Sequence, residues 1–155
     1  MAARSFTTHY ELLQASELSP KHVTLARAAR AATELAYAPY SEFRVGAAAR
    51  LADGEVVSAA NLENAAYPQC LCAEATLLGT LHTQHAGVRI ESIAVAVAGK
   101  RPRVDVAAPC GSCRQQLHEA QARQGAPFEL LLCNSDGSVY LFSDASALLP
   151  FGFAL

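Results

Sequence analysis

Apolar and small residues recur along this chain with a period that changes from stretch to stretch. Ser19-Pro20 reads as a helix N-cap followed by proline in the first turn. Val23, Ala26, Ala29, Ala32 and Ala36 then fall on one helical face, which predicts a helix to about Tyr37, ended by Pro39. Residues 43–52 and 55–60 are β-like runs joined by Asp53-Gly54, a hairpin turn signal. After Pro68 the pattern becomes helical from about Cys72 to His82. Residues 90–98 alternate β-branched and small side chains as a buried strand does, and Pro109 opens another helix over roughly 111–124. A strand over 128–133, a turn at Asp136-Gly137 and a last strand over 139–142 complete the pattern. Tyr10-Glu11-Leu12-Leu13 fits either a short strand or an extension packed on the body.

The order helix, hairpin, helix, strand, helix, strand, strand predicts an α/β domain with helices covering a mixed sheet. No repeat, linker or low-complexity segment interrupts it. The expectation is a single domain over 1–155, with 1–19 as an N-terminal extension.

Composition narrows the picture. The chain is 52% hydrophobic and 17% charged, a globular balance whose low polarity points to apolar surface buried between subunits. Net charge is −2, with no run of Lys or Arg, which disfavours a nucleic-acid partner. Met1-Ala2-Ala3-Arg4 does not begin an apolar run, and no stretch reaches membrane-spanning length. A cytoplasmic protein without a membrane partner is expected. Five cysteines (Cys70, Cys72, Cys110, Cys113 and Cys133), an odd number without a secretion signal, favour metal binding or catalysis over a disulfide framework.

Two short motifs stand where helices are predicted to begin: Cys72-Ala73-Glu74 and Pro109-Cys110-Gly111-Ser112-Cys113. Three thiolates are enough protein ligands for a catalytic zinc, which keeps a fourth tetrahedral position open. A Cys-x-x-Cys pair at a helix start chelates one ion, and the helix dipole there favours thiolate. Glu74, two residues past Cys72, is placed beside such a metal without ligating it. Zinc brings the pKa of a bound water near neutral, and a neighbouring carboxylate moves the proton to a ring nitrogen and a departing amine. The pattern Cys-x-Glu with a later Pro-Cys-x-x-Cys is the signature of zinc nucleobase deaminases.

Six segments in order carry a closer resemblance. They are Tyr37-Ala38-Pro39-Tyr40-Ser41, Phe43-Arg44-Val45-Gly46-Ala47-Ala48, Asn61-Leu62-Glu63-Asn64-Ala65-Ala66-Tyr67, Cys72-Ala73-Glu74, Pro109-Cys110-Gly111-Ser112-Cys113-Arg114-Gln115, and Leu148-Leu149-Pro150. Together the chain resembles the small homotetrameric cytidine deaminases of the three-cysteine zinc type, from about Tyr37 to the C-terminus. The resemblance implies a three-layer α/β/α fold with a mixed, roughly five-stranded sheet. It also implies one Zn²⁺ per chain on Cys72, Cys110 and Cys113, and Glu74 as the catalytic proton carrier. Phe43 would stack on the pyrimidine, Asn61 and Glu63 would bind the ribose hydroxyls, and the Ala73 backbone would hold the base. Ala65, Tyr67 and Phe153 would complete a neighbouring subunit's site in a homotetramer. The implied reaction is hydrolysis of cytidine or deoxycytidine to uridine or deoxyuridine and ammonia, as in pyrimidine salvage. Asn61 and Glu63 agree on physical grounds too, since an extended run puts both on one face.

Two positions depart from the family pattern: Ala75, where Arg usually follows the catalytic Glu, and Ala60, where Gly usually precedes the Asn-x-Glu motif. Three thiolates on Zn²⁺ leave a charge of about −1, which an arginine on the sulfurs offsets. Here two helix N-termini and Arg114 are left for that task. Blasticidin-type deaminases also lack the arginine, so a modified cytosine nucleoside is the alternative substrate. A non-catalytic zinc protein and a thiol redox protein using Cys110 and Cys113 also compete, although the first has no use for Glu74. Cys70 and Cys133 are expected to be buried and not to bind metal. None of His9, His22, His82, His85 and His118 is spaced as a ligand, and His82 and His85 fall near a helix C-terminus.

Overall fold

The computed structural model describes residues 3–99 and 106–154. The ends of the expected domain, at residues 1 and 155, lie outside the described residues. Ser19 caps the first helix by accepting from the His22 N–H at 3.4 Å, and Pro20 occupies its first turn. This helix, α1, spans Pro20–Ala32 and then tightens into a 3-10 turn over Thr33–Leu35. It therefore stops short of the predicted end. The Thr33 hydroxyl donates back to the Arg30 carbonyl at 2.7 Å, and Ala36 is already extended.

The hairpin is formed by β2 (Phe43–Leu51) and β3 (Val56–Ala60). Helix α2 (Ala73–Gln84), β4 (Ile90–Gly99), α3 (Gly111–Gln124), β5 (Glu129–Cys133) and β6 (Val139–Phe142) follow. A further strand, β1 (Glu11–Leu13), pairs antiparallel with β6. Among the described residues the sheet therefore has six strands in the order β1-β6-β5-β4-β2-β3, five from the body of the chain and one from the N-terminal extension. Tyr10 secures that strand, its ring 5.0 Å from Tyr140 and 5.7 Å from Phe142.

Among the described strands only β4 and β5 pair in parallel, and such a pair needs a crossover, which α3 supplies. Alternation along the strands divides the core between the two faces of the sheet. Ala47, Ala49, Ile93, Val95, Leu130 and Leu132 pack with Leu77, Leu81 and Leu117 of α2 and α3. Ala48, Ala94, Ala96, Leu131 and Cys133 pack with Leu25, Ala26 and Ala29 of α1. The result is the three-layer α/β/α arrangement. On the α1 side the approach is close enough that a Cβ on Gly46 would lie 2.2 Å from the Ala29 carbonyl oxygen, so only glycine fits.

This topology gathers the motifs at one end of the sheet. Phe43 opens β2 directly opposite Gly99 at the end of β4, and Asn61 follows the end of β3. The N-termini of α2 and α3 point toward the same end. Clefts beyond the carboxyl ends of strands are the usual ligand sites of open α/β sheets.

Candidate active site

Cys72 is the N-cap of α2 and Cys110 the N-cap of α3, with Cys113 in the first turn of α3. The backbone of both caps is tied down by the helix it opens: Thr76 N–H donates to the Cys72 carbonyl at 3.0 Å, and Arg114 N–H to the Cys110 carbonyl at 2.9 Å. Two helix starts thus converge. The sulfurs of Cys72 and Cys110 are 3.9 Å apart, and all three sulfurs lie within 4.8 Å of one another. Sulfurs bound tetrahedrally at a Zn–S distance of about 2.3 Å stand about 3.8 Å apart, so this donor set fits zinc.

The electrostatics suit the same purpose. A hydrogen bond from Cys113 brings the Cys72 thiol down to about 6, against burial and the charge of Glu74. That same bond, followed by burial and the neighbouring Glu74, drives Cys113 upward. A cation bound by these three thiols displaces the protons they share. Glu74 stands beside the cluster rather than within it, and only 4% of it is exposed. Burial raises its pKa, while hydrogen bonds from its own backbone N–H and from Cys113 oppose the rise. A buried carboxyl with its pKa raised beside three thiols is suited to taking and returning a proton.

Cys72, Glu74 and Cys110 form one wall of a cleft of about 510 Å³, with Phe43, Asn61 and Glu63 lining it as well. The volume is that of a small-molecule site. Val95 and Val97 of β4, with Val45 of β2, add apolar lining. Their strand alternation directs them to the α2–α3 face, a signal already present in the period-2 pattern.

The segment carrying Asn61 and Glu63 is bound on both sides. Leu62 exchanges backbone hydrogen bonds with Leu71 at 3.0 and 2.9 Å, one residue before Cys72. On the other side, Glu63 N–H donates to the Tyr37 carbonyl at 2.8 Å and Tyr37 N–H to that of Asn61 at 3.1 Å. The side chains of both polar residues also hold backbone. Asn61 Oδ1 accepts from Val45 N–H at 2.8 Å, and Nδ2 donates to the Phe43 carbonyl at 3.0 Å. Glu63 accepts from Tyr40 N–H at 2.9 Å, Ser41 N–H at 3.3 Å and the Ser41 hydroxyl. The Ser41 hydroxyl and the Tyr40 amide hold the Glu63 carboxyl below the usual carboxylate range.

The other predicted site residues divide. Ala73 is fully buried at the first position of α2, where its N–H belongs to the helix start beside the cleft. Ala65, Tyr67 and Phe153 are exposed and outside the cleft; Tyr67 is 71% and Phe153 67% exposed. Cys70 differs from expectation, because it is exposed and lines the cleft, its sulfur accepting from Asn64 N–H at 3.2 Å. Every residue from Asn64 to Cys72 is exposed, which the sequence did not reveal. Cys133 is buried, and burial raises its thiol to about 11. Arg114 directs Nε to the Pro109 carbonyl at 2.9 Å and a terminal nitrogen to the Leu148 carbonyl at 3.3 Å. Its guanidinium thus braces the backbone next to the cysteines instead of lying on their sulfurs.

The chain is similar to proteins of known kind. Residues 19–125 match the family model described as the cytidine and deoxycytidylate deaminase zinc-binding region. A cytidine deaminase of Halalkalibacterium halodurans is 42% identical over 111 residues, which cover 71% of this chain and 70% of that protein. One from Mycobacterium tuberculosis is 44% identical over 84 residues, 54% of this chain and 59% of its own length. The crystal structure of cytidine deaminase from Burkholderia pseudomallei superposes with a TM-score of 0.69 at 43% identity, covering 85% of this chain and 98% of that one. The Mycobacterium tuberculosis structure gives 0.64 at 34% identity, covering 86% and 98%. With zinc-type cysteines at two helix starts, an acid beside them and this match over most of its length, the chain belongs to the zinc-binding cytidine and deoxycytidylate deaminase family.

Proposed function

We propose that this protein hydrolyses cytidine and deoxycytidine to the corresponding uridines and ammonia, using Glu74 to carry the protons. The observation that carries this reading is a buried, non-ligating carboxyl with raised pKa beside three clustered sulfurs in a nucleoside-sized cleft. Cys72, Cys110 and Cys113 would hold the zinc, which when bound would supply an activated water for attack on the C4 carbon of the pyrimidine.

The chain's own residues do the rest. Glu74 would take one proton from that water and pass it to the ring nitrogen as the oxygen adds to C4, then carry the second proton from the added hydroxyl to the amine, so that the C4–N bond breaks and ammonia leaves. Phe43 stacks on the base, and the apolar side chains around it keep bulk water from the ring. Ala73 holds the base through its backbone. Asn61 and Glu63 retain acceptor and donor capacity beyond their backbone partners and meet the ribose hydroxyls. Ala65, Tyr67 and Phe153 lie outside their own cleft and are contributed to that of another subunit in a homotetramer. The exposed Tyr37, Leu62, Tyr67 and Leu71 near the cleft supply apolar surface for such an assembly. Among the described residues no helix is long and apolar enough to cross a membrane, which suits an enzyme of cytoplasmic pyrimidine salvage.

The test is ammonia release from cytidine, deoxycytidine and modified cytosine nucleosides by zinc-loaded protein, with the metal content of each preparation measured. Turnover of cytidine with about one zinc per chain is expected. Full zinc occupancy without turnover of any nucleoside would refute the reading.

A further inference from the structure

The helix that carries two of the metal ligands also grips the C-terminal arm. Arg114, Gln115 and His118 lie on neighbouring positions of one α3 face, and each meets a different part of the arm. Arg114 holds the Leu148 carbonyl at 3.3 Å, at the end of the 3-10 turn Ala145–Leu148. Gly152 rests against the His118 ring so closely that a Cβ there would lie 3.0 Å from two ring atoms. Gln115 closes the grip: its Nε2 donates to the Phe153 carbonyl at 2.8 Å, and its Oε1 accepts from Phe153 N–H at 3.0 Å. One carboxamide therefore satisfies both backbone groups of one residue, as a neighbouring β-strand would. Between these anchors Phe151 adopts φ 57° and is 99% exposed, so its own side chain does not fasten the arm.

We propose that Gln115 is a positioning residue that holds the C-terminal arm in register with the metal-bearing helix, so that Phe153 is presented already ordered to the cleft of a second copy of this chain. This rests on the shared-site reading above. An unanchored terminal segment would have to lose its backbone freedom each time the site closed on a nucleoside. The two hydrogen bonds impose that order beforehand, which favours binding without touching the reacting atoms. Gln115 lies two residues from the ligand Cys113 on the same rigid element, so the arm follows the metal site.

The experiment compares zinc-loaded wild type, Gln115→Leu, Gln115→Glu, Phe153→Ala and the Gln115→Leu/Phe153→Ala double variant, with cytidine as substrate. Gln115→Leu, which keeps the helix but removes both bonds, raises KM about fivefold and leaves kcat within about twofold, the size expected of a net hydrogen bond. Gln115→Glu keeps the acceptor for Phe153 N–H and gives a smaller rise, with zinc content unchanged. Phe153→Ala raises KM at least as much, and the double variant no further than Phe153→Ala alone. A second readout is independent of turnover. The chain has no tryptophan, so Phe153→Trp places a single fluorophore on the arm, and adding Gln115→Leu lowers its anisotropy. Wild-type KM in Gln115→Leu with a raised KM in Phe153→Ala overturns the positioning role alone, as do additive effects or unchanged anisotropy. Wild-type KM in Phe153→Ala overturns the shared-site reading and this proposal with it.

Discussion

The walls of the cleft are built by different means. The metal wall hangs from two helix starts, where Cys72 and Cys110 cap α2 and α3 and Cys113 and Glu74 occupy their first turns. Each position there follows from its neighbours along the chain, because a helix start fixes its first residues once it forms. The wall of Phe43, Asn61 and Glu63 is assembled from the first residue of β2 and from a segment past the end of β3 that belongs to no helix or strand. Its polar side chains serve as their own scaffold: Asn61 binds the backbone on both sides of Arg44, and Glu63 closes the turn at Tyr40 and Ser41. The contrast teaches that a residue facing substrate on the metal wall is free for chemistry, whereas one on the opposite wall also maintains the shape of the cleft.

The largest expected effects lie on the metal wall and separate chemistry from structure. Glu74→Gln keeps the zinc and the fold while kcat falls by about 10²-fold or more, the range of general acid–base groups. Cys110→Ser loses zinc and turnover together. Cys133→Ser, buried among the residues that face α1, leaves zinc content unchanged. Elemental analysis beside steady-state kinetics checks all three. A Glu74→Gln enzyme with near-wild-type kcat would remove the proton carrier from the mechanism.

The difference between the walls also explains how much was legible in the sequence. Cys72-Ala73-Glu74 and Pro109 to Cys113 could be read because their spacing and helix-start position encode local geometry. The strands β2 to β6 could be read from alternation, and the match to the structure is within a residue or so at most ends. Strand β1 is three residues long and has no periodicity of its own; it exists because Tyr10 finds Tyr140 and Phe142. The pattern carries α1 past Ala32 because Thr33, Glu34 and Leu35 are compatible with a helix, whereas the Thr33 hydroxyl bond to the Arg30 carbonyl accompanies the change to a 3-10 turn. The grip of Gln115 on Phe153 spans 38 residues, and that of Asn61 on Val45 spans 16. Neither follows from local spacing.

Asn61 sharpens the comparison next. If it serves only the ribose, Asn61→Leu costs affinity and nothing else. The two backbone bonds it makes predict more: Val45 N–H and the Phe43 carbonyl are left without partners in a half-buried site. A loss of about 2 kcal/mol in unfolding free energy is expected, from one to two net hydrogen bonds plus incomplete resolvation. KM rises with it as Phe43 loses its fixed position, and zinc content stays near one per chain. Urea titration of the zinc-loaded protein measures the stability change. Unaltered stability with raised KM would return Asn61 to a purely substrate-binding role.

The smallest effect expected concerns Glu63, and its sign follows from its hydrogen bonds. The Ser41 hydroxyl and the Tyr40 amide stabilise the ionised carboxyl, lowering its pKa below the ordinary value of 4.5. A depressed carboxylate holds its turn fully above that ordinary value, and the hold is lost as pH falls through the lowered one. Loop order should therefore be constant from neutral pH down to about 5 and decline only in stronger acid. Turnover is a poor reporter there, because protons compete with zinc for the thiolates. Amide chemical shifts of Tyr40 and Ser41 report the carboxylate directly, and their titration midpoint should lie below 4.5. Glu63→Gln keeps one acceptor but loses the charge, so these amides should exchange faster at neutral pH and their shifts should no longer titrate in that range. KM should rise about threefold, with kcat and zinc unchanged, because a single exposed charge-assisted interaction is worth little. A midpoint at or above 4.5 would show that the turn at Tyr40 and Ser41 closes without Glu63, leaving the ribose as the remaining partner for its charge.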